Sequence, residues 1–159
     1  MREIKEEKWG DAWRLLLCVA VASRPLRLEE LAEVLAFDFD VGPIPKFCET
    51  FRPQNSVQAV LSTCATLVSV VNVENSRVIQ FTHFTVKEFL TSDRMAEKDD
   101  SISSYQISMT DAHALVAQAC LDMLLHLGKD VTRDGLKNFP LAGYAAEYWL
   151  EHARFVGVS

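Results

Sequence analysis

His83 occupies the seam of IQFTHFTVKEFL (79–90), where strand-like alternation gives way to helix-like spacing of Phe and Leu. Two readings stand for it: a packed residue that closes a hairpin, or a group that meets something bound by a neighbouring domain. The other histidines offer less. His113, His126 and His152 fall at no metal-ligand spacing, and His152 sits on an apolar helical stripe, the usual place of a satisfied core histidine. Cys18, Cys48, Cys64 and Cys120 form no CxxC pair or finger-like grouping, so zinc has no ligand set here. Three of them lie on apolar helical faces, where a thiol behaves as a small hydrophobe. No G-x-S-x-G elbow or H-E-x-x-H helix is present. Gly128-Lys129 imitates the end of a phosphate loop, but Asp130 follows it and Met123 stands where the first glycine belongs. The run AFDFD (36–40) superficially resembles a magnesium-binding strand end, yet it closes a helical stripe and enters a loop. No catalytic pair or metal site is assembled, so the expectation is a chain that is not an enzyme.

The bulk properties agree with a folded binding module. The chain has 159 residues, 49% hydrophobic and 24% charged, with a formal net charge of −6. That composition buries a core without staples. An acidic balance works against the clustered Lys and Arg that a nucleic-acid backbone demands. The opening MREIKEEKWGD has no apolar region of signal type, and LLLCVAVA (15–22) is too short to span a bilayer. With no N-x-S/T acceptor and unpaired thiols, a cytoplasmic location without a membrane partner is expected.

These residues must be positioned by six helices and one hairpin. Trp13, Leu16, Leu17, Ala20 and Val21 form the stripe of a first helix, which Ser23-Arg24-Pro25 ends. LEELAEVLAF (28–37) reads as a second helix with Leu28, Leu31, Ala32 and Leu35 on one face. Residues 38–55, with three prolines and no helical period, read as a long surface loop. Val57, Val60, Leu61, Cys64 and Leu67 mark a third helix, which runs into two β-rich arms around Glu74-Asn75-Ser76-Arg77. On the second arm Ile79, Phe81 and His83 fall on one face. Thr85-Val86-Lys87-Glu88 fits a capping box for a fourth helix, with Phe84 stapled on Phe89. The polar stretch 97–104 divides the chain. Beyond it, Ala112 to Leu127 and Leu141 to His152 carry two further apolar stripes, which pack on the first module or on whatever follows residue 159. The domain reading is a charged lead-in over 1–10, a winged helix over 11–96 and a helical hairpin over 105–159. The fold class is mainly α: three helices, a two-stranded wing and a further helix, followed by an antiparallel helical pair.

A winged helix raises DNA binding at once, because its third helix commonly enters the major groove. Here NSVQAVLSTCATLVSVV contains no Lys or Arg, and the wing tip VENSR has one of each sign. Guanine readout and counterion release both lack their side chains.

The segments AWRLLLCVAVASRPLRLEELAEVLAFDFD, QAVLSTCATLVSVV, RVIQFTHFTVKEFLTS and NFPLAGYAAEYWLEHA resemble a fungal arrangement: the winged helix and following helices of NACHT-type (STAND) signalling ATPases with ankyrin repeats. The same module is named after GPI inositol-deacylase. The resemblance covers residues 11 to about 156, and it implies a non-catalytic regulatory module. Such a module packs on a nucleotide-binding NACHT domain and relays its state to repeats downstream. It also implies a role for His83. Phe81, His83, Thr85, Glu88 and Phe89 match a pattern whose histidine contacts the β-phosphate of ADP, and an imidazole N–H suits a phosphate oxygen. This chain has no phosphate loop of its own, so any ADP or ATP belongs to the parent protein and not to this chain alone. A free-standing helical adaptor for protein partners is the alternative.

Overall fold

The computed structural model describes residues 6–40, 42, 44–64, 66–91, 108–128 and 132–155. The dividing stretch 97–104 and residues 1–5 of the lead-in lie outside the described residues. Helix α1 (Glu6–Val21) runs unbroken from within the charged lead-in, and its end coincides with the approach to Pro25. Leu15, Leu16 and Leu17 are all at most 1% exposed. A helix buried around so much of its circumference must be covered on two sides. On one side lies α3 (Ser56–Cys64), and on the other α5 (Met109–Leu127).

The second helical segment is shorter than its stripe suggested. Helix α2 (Leu28–Glu33) passes into a 3-10 turn (Val34–Ala36), and Phe37 already belongs to a strand. The supposed loop 38–55 is likewise structured. Strand β2 (Phe37–Asp38) pairs antiparallel with β3 (Lys46–Phe47), and a 3-10 turn covers Glu49–Phe51. The aromatic rings explain why: Phe37 packs edge-on to Phe47 at 5.5 Å between centroids, and Phe47 packs on Phe139 at 5.9 Å.

Helix α3 stops at Cys64, before Leu67, and the chain turns into β4 (Val68–Val73). Strand β5 (Ser76–Phe81) pairs with β4 from Val68↔Phe81 to Val73↔Ser76. The turn is therefore the two residues Glu74-Asn75, both with positive φ (45° and 67°), while Ser76 and Arg77 belong to the strand. This is the geometry of a type I′ hairpin, which suits Asn and strains Glu. The wing also has a third member. Strand β1 (Leu26–Arg27) adds to the other side of β5, giving the order β1-β5-β4.

Helix α4 (Phe84–Thr91) follows the wing, α5 comes after the undescribed segment, and α6 (Arg133–Leu136) and α7 (Ala142–Phe155) complete the fold. Helices α5 and α7 are antiparallel: His113 near the start of α5 meets His152 near the end of α7, and His126 at the other end of α5 meets Phe139 just before α7. Ser108 caps α5, its hydroxyl accepting from the N–H of Asp111, and Gly128 with φ 69° ends it.

Two buried glutamates on α2 join the winged helix to the helical pair. Sequence periodicity put the polar face of this helix outward, yet Glu30 is 0% and Glu33 3% exposed. Glu30 receives both terminal nitrogens of Arg24 (2.9 and 2.7 Å), and the N–H of Arg27 at 2.8 Å. Arg24 in turn lies over the rings of Tyr144 and Tyr148 on α7. Glu33 binds Arg52 through two contacts (2.6 and 3.1 Å), and Arg52 lies over Phe47 and Phe139. Burial pushes the Glu30 carboxyl up, but the hydrogen bonds from Arg24 and Arg27 outweigh it and hold the group below its ordinary range. At Glu33 burial wins over Arg52, and the carboxyl is raised. On α5, Asp122 accepts the N–H of Phe47 at 2.6 Å and completes the clamp.

Candidate functional site

The seam begins where β5 ends. Ile79 is buried and Phe81 half-buried against the core, as alternation requires. The strand stops at Phe81, and Thr82-His83 form a bend, so the alternation does not extend to residue 83. His83 is exposed. The reading that placed it toward the core is therefore corrected, because strand geometry ends two residues before it. Its backbone is firmly held. The Thr82 N–H donates to the Leu67 carbonyl at 2.9 Å, and the His83 carbonyl accepts from the Val86 N–H at 3.0 Å.

Helix α4 starts at Phe84, two residues earlier than the capping-box reading, which puts His83 in the cap position and Thr85 inside the first turn. Phe84 is 73% exposed, and Phe89 43%. Leu90 is the residue that anchors α4 in the core, at 2% exposed. The site is thus an exposed imidazole followed by an exposed phenyl ring, on a hydrogen-bonded corner between sheet and helix. Large exposed apolar side chains at such corners suit contact with another surface. An imidazole there can donate to an anion or accept from a hydroxyl, and among the described residues no nucleophile–base pair includes it.

The remaining histidines assemble a network that spacing did not show. His152 is 0% exposed. Its Nδ1 lies 2.8 Å from Nδ1 of His113, and its Nε2 lies 2.8 Å from the hydroxyl of Tyr144. That hydroxyl also accepts the Ser23 N–H at 2.9 Å. The arrangement that gives the Tyr144 hydroxyl hydrogen an acceptor has it donate to Nε2, with the His152 proton on Nδ1 donated to His113. Burial, with His113 adding to it, drives His152 down to about 4, and burial lowers His113 as well. Both rings are neutral at pH 7, and the group ties the C-terminal end of α1 to α5 and α7. Reading His152 as a core residue is thus correct, but its partners were missed. His113 and His152 are 39 residues apart and meet only because α5 and α7 run antiparallel.

No group of three or more His, Cys, Asp or Glu able to hold a metal is found among the described residues. Asp38 of the AFDFD run accepts the N–H of Asp40 within its own turn. Cys18, Cys64 and Cys120 are buried, and burial pushes each thiol up to about 12. No described helix is long and apolar enough to cross a membrane.

Three N-terminal helices, a hairpin wing flanked by a short first strand, and a helix after the wing define a winged-helix protein. Comparison with known families agrees: the chain belongs to the winged-helix domain family of GPI inositol-deacylase, which matches residues 3–103. It is also similar to the azaphilone pigments biosynthesis cluster protein L of Monascus ruber, with 30% identity over 156 residues. That alignment covers 94% of this chain and 32% of the relative, so the chain spans about a third of the relative's length. No solved structure matches it.

Proposed function

We propose that this chain is a non-catalytic regulatory and interaction module of a NACHT-type signalling NTPase. It packs through its wing-to-helix seam on the nucleotide-binding domain and relays that domain's state to repeats downstream. The observation that carries the reading is the exposure of His83 at a hydrogen-bonded corner, next in sequence to the 73% exposed Phe84. In this reading the imidazole donates to a phosphate of ADP held by the other domain, and losing that contact biases the protein toward its open form. Helix α3 (SVQAVLSTC) has no cation with which to read DNA, and the unbridged buried thiols suit a reducing, cytoplasmic location.

The test is a parent protein containing both domains. His83→Ala is expected to speed ADP release or raise basal activity, with the fold of the module unchanged because the residue is exposed. Equal ADP release and equal basal activity in the two proteins would remove the sensor role. A second reading, a helical adaptor, is favoured by one observation: Leu121, Leu125 and Leu150 leave apolar side chains exposed on α5 and α7, Leu125 by 79%. Charged substitutions at these leucines, compared with His83→Ala, tell which surface a partner uses.

A further inference from the structure

Among the described residues the wing ends in an open edge: in the order β1-β5-β4, strand β4 is bonded on one side only. It pairs with β5 through all six residues Val68–Val73 in continuous register, without a bulge. Its sequence, VSVVNV, has no charge, no proline and no glycine. Proteins commonly blunt an edge strand with one of these devices, and a β-branched edge that lacks them is a template for another strand.

The turn fixes which backbone groups point outward. In a two-residue I′ hairpin the flanking residues, here Val73 and Ser76, exchange both hydrogen bonds. Val71 and Ser69 then also bond β5, and Val68, Val70 and Asn72 present their N–H and C=O to the free edge. The bond from Thr82 N–H to the Leu67 carbonyl continues the same alternation. Val68 is 2% exposed, whereas Val70 is half-buried and Asn72 exposed. The accessible outward groups are therefore those of Val70 and Asn72, placed symmetrically about Val71.

We propose that this edge is a self-association surface on which β4 of a second copy docks antiparallel, with the two-fold axis at Val71. Symmetry points to a second copy: Val70 pairs with Asn72 of the second copy and Asn72 with its Val70, so the accessible N–H and C=O groups on both strands are satisfied together. The two Val71 side chains meet in a non-hydrogen-bonded pair, where Cα atoms approach to about 4.5 Å. Val73, 47% exposed, lies opposite Ser69 of the second copy. The one charge beside the paired segment, Glu74, lies opposite Val68, so no like charges meet. The result continues each three-stranded sheet into one of six strands, an isologous dimer.

Sedimentation equilibrium of the chain over a wide concentration series tests this. The wild-type mass is expected to rise toward twice the monomer value. Val71→Lys faces itself across the axis and is expected to keep the monomer mass. Asn72→Pro removes an outward N–H at an edge position that tolerates proline, and is expected to do the same with an unchanged circular dichroism spectrum. An equimolar mixture of Val71→Lys and Val71→Glu is expected to regain the doubled mass. A wild-type mass that stays monomeric throughout, or a doubled mass that survives both single variants, overturns the proposal.

Discussion

Acidification from pH 7.5 to 5 is expected to weaken this fold through one buried ring, and His152→Phe is expected to remove that part of the slope. His152 is fully buried with its Nε2 accepting from Tyr144 and its Nδ1 donating to His113, and it protonates near 4 in the fold. An unfolded histidine protonates near 6.5, so between about pH 6.5 and 4 the unfolded chain binds more protons than the native one. The sign follows: the folded value is depressed, so the stabilisation is present above 6.5 and is lost as pH falls toward 4. Linkage puts the loss at about 2 kcal/mol by pH 5 and about 3 kcal/mol by pH 4. His113, also lowered, acts in the same direction. The depressed carboxyl of Glu30 loses its contribution below the ordinary carboxylate range, and the raised carboxyls of Asp11 and Glu33 have the opposite sign. All three remain in the variant and cancel in the difference. His152→Phe leaves the Tyr144 hydroxyl hydrogen without its acceptor, at a cost of about 1–3 kcal/mol that does not depend on pH. Urea unfolding at a series of pH values should therefore give a variant that is weaker at pH 7.5 but flatter toward pH 5. Parallel curves for the two proteins, or a His152 resonance that titrates near 6.5, would refute the reasoning.

Other perturbations follow from the same contacts. Glu30→Gln removes the charge that Arg24 and Arg27 surround, and should cost about 3 kcal/mol in urea unfolding, at the low end for a broken buried pair because Arg24 is 32% exposed. Replacing Glu74-Asn75 by Asn-Gly supplies the residues that positive φ favours, and should add about 1 kcal/mol, or about 3 °C in Tm. A thiol reagent at pH 8 should modify Cys48 in the folded protein and spare Cys18, Cys64 and Cys120 until denaturant is added. Fast labelling of all four without denaturant would contradict the burial of the last three.

The helices were readable wherever an apolar stripe ran for two turns or more, and so was the hairpin, because period 2 persists through β5. Strands β1, β2 and β3 have two residues each, too few to show any period, and they exist through pairing with distant partners such as Ile79 and Phe47. Glu30 and Glu33 occupy the polar face of α2, and only the tertiary arrival of Arg24 and Arg52 makes that face an interior. A local trace did exist for Glu30: it lies three residues after Arg27, at the position where a carboxylate reaches back to a free N–H. Of the two readings of His83, the packed one extended strand alternation across a bend and so grouped it wrongly with Ile79 and Phe81. That error matters most for function, because exposure is what separates a packed residue from one able to reach a neighbouring domain.

The family match ends at residue 103, but the core does not. Leu15, Cys18 and Leu26 share one buried cluster with Val116, Cys120 and Tyr144, and the Ser23 N–H is bonded to the Tyr144 hydroxyl. Arg24 carries this coupling further, since the guanidinium that neutralises Glu30 on α2 also covers two tyrosines of α7. Removing α5 and α7 would expose the second face of α1, whose three consecutive leucines are now almost fully buried. Burying one such side chain contributes about 1.5–3 kcal/mol, a large fraction of the roughly 5–15 kcal/mol that holds an ordinary domain. The two helices thus complete the winged helix, and a displacement at either end of α1 must be shared by both parts.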